Sequence, residues 1–386
     1  MRHVSDNCVL ADLVGPRPEP ATRPAHFGAY LHRLNAGQDL AYEEARSYMR
    51  MVLGIDDGRQ RSAQLGVLLN GFMAKRPTVE EATGVIDAAL ELDAHHPSLR
   101  PAHPFTGERV VGMAGSGKKG VKTPNISTPA AIVAAAAGIK VAKCASAATS
   151  STAGSADTLK NLGVRLSGGR DRTLEVMGAC NLGVFEIEQM VPRFDAAYGG
   201  LFFAPHVLSL AFPALLLPVR TDHLLYGIAH PDVTLSMEVL RRYHDGDMLV
   251  VSSTPDNVRY IDEVGIIGES SVVGVRGLRR GNMRRLDLGE LLGVGPYSLA
   301  DIRAGATAVD QARIVVEVLA GRSHRALADL VAVNAATLIF LGTSQHTISE
   351  AFELACEVLA SGAALARLRD LARLSGGTAE AVQRWL

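Results

Sequence analysis

The feature that most constrains this chain is a strand–loop–helix order that begins after His103 and then repeats. GERVVGM reads as a short strand, GSGKKGVKT as a glycine-rich loop, and NISTPAAIVAAAAG as a loop entering a helix. IKVAK, CASAATSSTAGS and ADTLKNLG repeat the order as strand, small-residue loop and helix. Repetition of that order predicts βαβ units and a parallel sheet. DMLVVSS and VGIIGESSVVGVRG read as further strands.

Helical patterns flank this region. From about Tyr30 to Leu92, LHRLNAGQDLAYEEARSYMRMVL, RSAQLGVLLNGFMAKR and TVEEATGVIDAALEL each place apolar residues three and four apart. Asp39 ahead of LAYEE and Thr78 ahead of Glu80 and Glu81 supply capping chemistry. From Asp310 onward the chain reads as helix again. The expected fold class is α/β: a small all-helical domain plus a larger α/β domain with a central mostly parallel sheet flanked by helices. Residues 1–27 contain GPRPEPATRP, whose prolines lack the backbone donor a helix needs, so they read as an N-terminal extension.

Composition removes several classes. Of 386 residues, 47% are hydrophobic, enough for a large core. Lys and Arg number 39 and Asp and Glu 40, a net charge of −1, which speaks against a general nucleic-acid backbone binder. The longest strongly apolar run, Leu208–Val219, contains Pro213 and Pro218 and is too short to span a membrane. The N-terminus shows no secretory pattern. Cys8, Cys144, Cys180 and Cys356 form no CxxC pair, so neither a zinc site nor a disulfide framework is expected. A reduced cytoplasmic enzyme is the expectation.

Ligands of open α/β sheets bind beyond the carboxyl ends of the strands. There the sequence sets two loops, Gly115–Thr128 and Lys143–Ser155, rich in glycine, hydroxyls and lysine. Glycines admit backbone N–H groups to a ligand, hydroxyls donate to phosphate oxygens, and Lys118, Lys119, Lys122 and Lys143 supply charge. Two such loops predict a ligand with more than one phosphate. The run from Gly112 to Lys118 fits the start of a nucleotide P-loop, but Lys119 stands where that motif needs a magnesium-binding hydroxyl, so a nucleoside triphosphatase is rejected. Asp262-Glu263, just before an apolar strand, forms a carboxylate pair suited to magnesium beside a polyphosphate. His95, His96, His206, His223 and His230 lack partners at ligand spacing and read as structural or surface groups. No nucleophile elbow appears.

These residues resemble the anthranilate phosphoribosyltransferase family. The similarity lies in GSGKKGVKTPNISTPAAIVAAAAGIKVAKCASAATSSTAGSADTLKNLGV, in the acidic pair of YIDEV, and in NAATLIFLG and SGAAL. It runs from about Leu31 to Arg369. It implies transfer of phosphoribose from phosphoribosyl pyrophosphate to an aromatic, carboxylated acceptor, release of pyrophosphate, Mg2+ as cofactor, and a homodimer. It also implies a division into a small helical domain, 28–102 plus about 188–215, and a donor-binding α/β domain, 103–187 and 216–386.

The donor-binding positions implied are Gly115, Lys118, Lys119, Thr123, Asn125, Ser127, Thr128, Lys143, Ser150, Ser151 and Ser155. Gly115, Ser146 and Arg220 would meet the acceptor, with Arg220 holding its carboxylate, and Ser127, Asp262 and Glu263 would hold magnesium. The first loop reads GSGKKG where the family usually has GTGGDG, and the second KCASAATSS where it usually has KHGNRSVSS. Two further readings stay open: a non-catalytic nucleic-acid-binding relative, and a nucleoside phosphorylase.

Overall fold

The computed structural model describes residues 27–147, 154–200, 202–276, 279–343 and 345–386. It begins with α1 (Phe27–Asn35), α2 (Tyr42–Leu53), α3 (Gly58–Lys75) and α4 (Val79–Glu91). The long pattern LHRLNAGQDLAYEEARSYMRMVL is two helices, because Gly37 turns the chain at φ +70. Asp39 does not cap α2. It pairs with Lys75 at 2.5 Å, and Glu44 closes the helix start by accepting the Ala41 N–H. Thr78 does cap α4, accepting from the Glu81 N–H while the Glu81 carboxylate accepts from the Thr78 N–H.

The repeated segment folds as β1 (Val110–Gly115), α5 (Ser127–Ala136), β2 (Lys140–Ala145), α6 (Ser155–Asn161), α7 (Gly169–Cys180) and β3 (Leu182–Glu186). Next come α8 (Pro192–Tyr198), α9 (Phe212–Leu215), β4 (His223–Gly227), α10 (Val233–Leu240) and β5 (Asp247–Thr254). β6 (Glu269–Arg276), β7 (Arg279–Arg280) and β8 (Arg284–Leu286) close the sheet. The order is β3-β2-β1-β4-β5-β6-β7, with β8 also beside β6. β1 to β5 pair in parallel and β6 to β8 are antiparallel. Of VGIIGESSVVGVRG, only the second half is strand. Its first half is loop, tied down by the Asn334 side chain, which accepts from the Val264 N–H and donates to the Val264 carbonyl.

The helices complete as α11 (Leu288–Leu292), α12 (Ala308–Leu319), α13 (Arg325–Gly342), α14 (Ile348–Ala360), α15 (Ala363–Leu374) and α16 (Glu380–Gln383). Alternate strand residues feed two cores. Val111, Met113, Val141 and Leu225 pack with α5, α6 and α12 to α15, while Val110, Ala114, Ala142 and Tyr226 pack with α1 to α4 and α8 to α10. Both sheet faces are therefore covered, which is why the central strands carry apolar residues on both faces rather than on alternate positions. α13 is long and apolar enough to cross a membrane but is mostly buried, as a core helix is. With β1, β2, β4 and β5 parallel, Gly115, Ala145, Gly227 and Thr254 all end on one edge of the sheet.

Candidate active site

That edge carries a crevice of about 240 Å3. Its lining includes Gly115, Lys118, Lys119, Thr123, Asn125, Ser127, Lys143, Ser146, Ser155, Asp262 and Glu263. The turn after β1 is built from consecutive left-handed residues, Gly117 at φ +63 and Lys118 at φ +58. Lysine at positive φ is uncommon and costly, and such conformations gather where a site needs them. Gly120 donates its N–H to the Tyr260 carbonyl at 2.8 Å, stitching this loop to the acidic one.

The acidic pair does not enter a strand. It lies on the loop between β5 and β6, where Ile261 bridges back to Ser253. Two strand-end glycines make room for it. A Cβ on Gly115 would come 2.6 Å from Asp262 Oδ2, and one on Gly227 would come 1.7 Å from the Asp262 carbonyl. Asp262 Oδ2 accepts the Gly117 N–H at 2.7 Å, while its buried Oδ1 has no hydrogen-bond partner. Glu263 meets the Lys119 ammonium at 2.5 Å, and the same ammonium donates to Thr123 Oγ1 at 3.0 Å and lies 3.7 Å from Asp262 Oδ1. Burial works against the Lys119 charge, but Glu263 and Asp262 more than offset it and hold the ammonium above its ordinary value. Burial pushes the Glu263 carboxyl up, against the pull of Lys119.

Lys143, only 3% exposed, points from β2 into the crevice and donates to Ser127 Oγ at 3.0 Å and to the Cys144 carbonyl at 3.2 Å. Burial pushes both Lys143 and Lys118 down to about 8. Ser146 donates its N–H to Ser155 Oγ. Asn125 caps α5 by accepting the Thr128 N–H, and its own N–H donates to Gln311, so α12 also fixes this loop.

Beside the crevice, sharing Gly115, Gly117, Lys118, Ser146, Ile187 and Pro213 with it, is a second chamber of about 130 Å3. Phe194, Tyr198, His206 and Phe212 give it aromatic walls. The Lys118 ammonium sits 5.6 Å from the centre of the Tyr198 ring, and the Tyr198 hydroxyl lies 2.6 Å from His206 Nε2. Burial, then Lys118, pushes His206 well below its ordinary value. Glu188 accepts the Ala147 N–H at 3.0 Å through Oε1, and its buried Oε2 is unpartnered. Burial pushes this carboxyl up to about 7. His206 was expected to be structural or surface; it lines this chamber. The sequence signal for the chamber was the crowding of Phe194, Tyr198, Phe202, Phe203 and Phe212 into one stretch of a chain with 5% aromatic residues.

Two expected site residues fall elsewhere, and two lie outside the described residues. Arg220 is exposed and lies three residues before β4, at the amino edge of the sheet, where its N–H donates to the Pro101 carbonyl. It lines neither chamber. Thr128 is 1% exposed in the first turn of α5, its hydroxyl buried away from the crevice. Ser150 and Ser151 lie outside the described residues.

The expected magnesium ligands are also engaged. Magnesium wants near-octahedral oxygens at about 2.0–2.1 Å. Here the Lys119 ammonium meets Glu263 Oε1, Lys143 donates to Ser127 Oγ and the Gly117 N–H donates to Asp262 Oδ2, while the buried Asp262 Oδ1 has no hydrogen-bond partner. In this arrangement Ser127, Asp262 and Glu263 do not fit a resident magnesium ion. Among the described residues no group of three or more His, Cys, Asp or Glu side chains is placed to hold a metal.

Comparison with known proteins agrees with the architecture. Residues 107–365 match the model of the glycosyl transferase family, a/b domain. The anthranilate phosphoribosyltransferase of Thermomicrobium roseum is 31% identical over 363 residues, covering 92% of this chain and 99% of that protein. That of Desulforudis audaxviator is 32% identical over 356 residues, covering 88% and 94%. The crystal structure of the Thermus thermophilus enzyme aligns with a TM-score of 0.72 at 27% identity, covering 90% of this chain and 99% of that one. The Saccharomyces cerevisiae enzyme in complex with PRPP and Mg aligns with a TM-score of 0.74 at 19% identity, covering 92% and 99%, a likeness of fold alone. On the family model and on these identities over nearly whole chains, the protein belongs to the anthranilate phosphoribosyltransferase family of glycosyl transferases.

Proposed function

We propose that the chain transfers phosphoribose from phosphoribosyl pyrophosphate to an aromatic acceptor, the donor lying in the lysine crevice and the acceptor in the aromatic chamber. The observation that carries this reading is the convergence of Lys118, Lys119 and Lys143 on one crevice that opens into an aromatic chamber. These lysines face inward, which favours a small phosphorylated ligand over a nucleic-acid backbone, whose binders present their charge outward.

The chemistry follows from the charges. The bond from ribose C1 to the pyrophosphate oxygen breaks, its electron pair leaves with pyrophosphate, and positive charge develops on the ribose. Ammonium groups aimed at the leaving oxygens stabilise that separation in a site sheltered from water. The acceptor's lone pair then forms the new bond to C1 and the acceptor gives up a proton. Glu188 Oε2, buried and unpartnered in the chamber with a carboxyl near neutrality, is suited to accept a hydrogen bond from the acceptor and take that proton. No nucleophilic side chain is required.

The chamber also speaks to the acceptor. Among the described residues its charged side chains are Glu188, Asp195 and Lys118, with no arginine. Lys118 there offers a partner to an acceptor carboxylate, and an N–H donor on the acceptor ring would satisfy Glu188. The test is pyrophosphate release from the donor over a panel of carboxylated and amine- or amide-bearing aromatic rings, with products weighed by mass spectrometry. Donor-dependent release with a ribosylated N–H-bearing ring is expected. Absence of release across the panel, together with no donor binding, overturns the reading.

A further inference from the structure

We propose that Lys119 is a built-in counter-cation for Asp262 and Glu263, standing where a divalent metal would otherwise bind, so that the crevice grips its donor without a metal ion on those carboxylates. This rests on the donor reading given above.

Two adjacent buried carboxylates need compensating positive charge, and water cannot supply it there. The Lys119 ammonium is surrounded by an oxygen set of the kind a cation collects: Glu263 Oε1 at 2.5 Å, Thr123 Oγ1 at 3.0 Å and Asp262 Oδ1 at 3.7 Å. An ion bridging Glu263 Oε1 and Asp262 Oδ1 would compete with that nitrogen for the same two oxygens. Ser127 Oγ, the hydroxyl that the family resemblance assigns to the metal, already accepts from Lys143. The second oxygen of Asp262, Oδ2, accepts from the Gly117 backbone.

Lys119 is also aimed rather than free. Its loop is pinned on one side by the left-handed Gly117 and Lys118. On the other side, the Gly120 N–H donates to the Tyr260 carbonyl, two residues before Asp262. Its side chain retains 22% exposure, far less than a surface lysine that could swing clear. Charge counting points the same way. Lys118, Lys119 and Lys143 face Asp262 and Glu263, so the crevice is already net positive before any ligand enters. A dication added there would meet like charge, whereas a pyrophosphate group would meet what it needs. The lysines thus do the electrostatic work of neutralising the leaving group.

The experiment has two arms on the whole chain. Manganese alone, titrated into wild-type protein and followed by electron paramagnetic resonance, is expected to show no bound ion. Lys119→Ala and Lys119→Met, whose folding is checked by circular dichroism, are expected to gain manganese binding by about tenfold or more as the carboxylates open. In the second arm, calorimetric titration of phosphoribosyl pyrophosphate into wild type is expected to give affinities within about threefold in chelator and in magnesium. Both variants should lose affinity in chelator and recover it in magnesium. Manganese bound by wild type, or donor bound by wild type only with magnesium, overturns the proposal and leaves the donor reading standing. Donor bound under neither condition overturns the donor reading, and the manganese arm still decides the role of Lys119.

Discussion

Replacing Lys119 with alanine should expose how the acidic pair is held. At an effective dielectric constant near 20, opposite charges about 4 Å apart attract by about 4 kcal/mol. Glu263 Oε1 is 2.5 Å and Asp262 Oδ1 3.7 Å from the Lys119 ammonium, so both carboxylates contribute. The cost of desolvating all three groups offsets much of this. What the variant loses is the compensation, and removing one partner of a buried pair costs about 3–5 kcal/mol. Because Lys119 keeps some exposure, the lower end applies, about 3 kcal/mol at pH 8.

The pH dependence separates charge from packing. Without Lys119, the carboxyl of Glu263, already raised by burial, rises further above the unfolded value of about 4.3. An acid whose folded-state value is raised favours folding below the unfolded value and loses that contribution as pH climbs through the folded one. The penalty should therefore be largest at pH 8 and shrink towards about pH 5. Urea denaturation of wild type, Lys119→Ala and Lys119→Met at both pH values measures it, the methionine variant keeping the methylene packing. A penalty equal at both pH values, or none for Lys119→Met, would refute the charge argument.

Three further outcomes follow from the site. Lys118 and Lys143 stand at about 8, so donor affinity should fall as pH rises from about 7 to 9 and each ammonium is lost, by about tenfold or more; calorimetry showing a flat profile would contradict this. Arg220→Ala should leave the acceptor KM within about twofold of wild type, because the residue lies on the far edge of the sheet; a tenfold rise would place it back in the acceptor site. Glu188→Gln should raise stability by about 1 kcal/mol at pH 8 and not at pH 5, since the partly buried carboxyl at about 7 resists ionising as pH rises and the amide does not; equal gains at both pH values would refute it.

The features legible in the sequence were local ones. GSGKKG and KCASAATSS announce their loops by composition, and those loops do carry Lys118, Lys119, Lys143, Ser146 and Ser155 to one crevice. The acidic pair was legible as chemistry, but its partner was not. Lys119 reaches Glu263 across 144 positions, and no local pattern encodes a contact at that distance. Ser127 and Thr128 look alike in sequence, yet one residue is about 100° of helix rotation, which turns Ser127 to the crevice and Thr128 into the core.

Arg220 failed for a topological reason. Which edge of the sheet it occupies depends on where β4 begins, and HLLYG is too short to announce itself. The aromatic chamber draws on α8 and the irregular stretch before α9, where side chains follow no period that a sequence reading can use.

The account turns on three lysines holding the phosphates of the donor. Determining the crystal structure of the protein soaked with phosphoribosyl pyrophosphate tests this most directly. The account predicts pyrophosphate oxygens within about 3 Å of the Lys118, Lys119 and Lys143 ammonium groups, with the ribose facing the aromatic chamber. A donor bound away from these lysines, or the crevice unfilled at saturating donor, would contradict it.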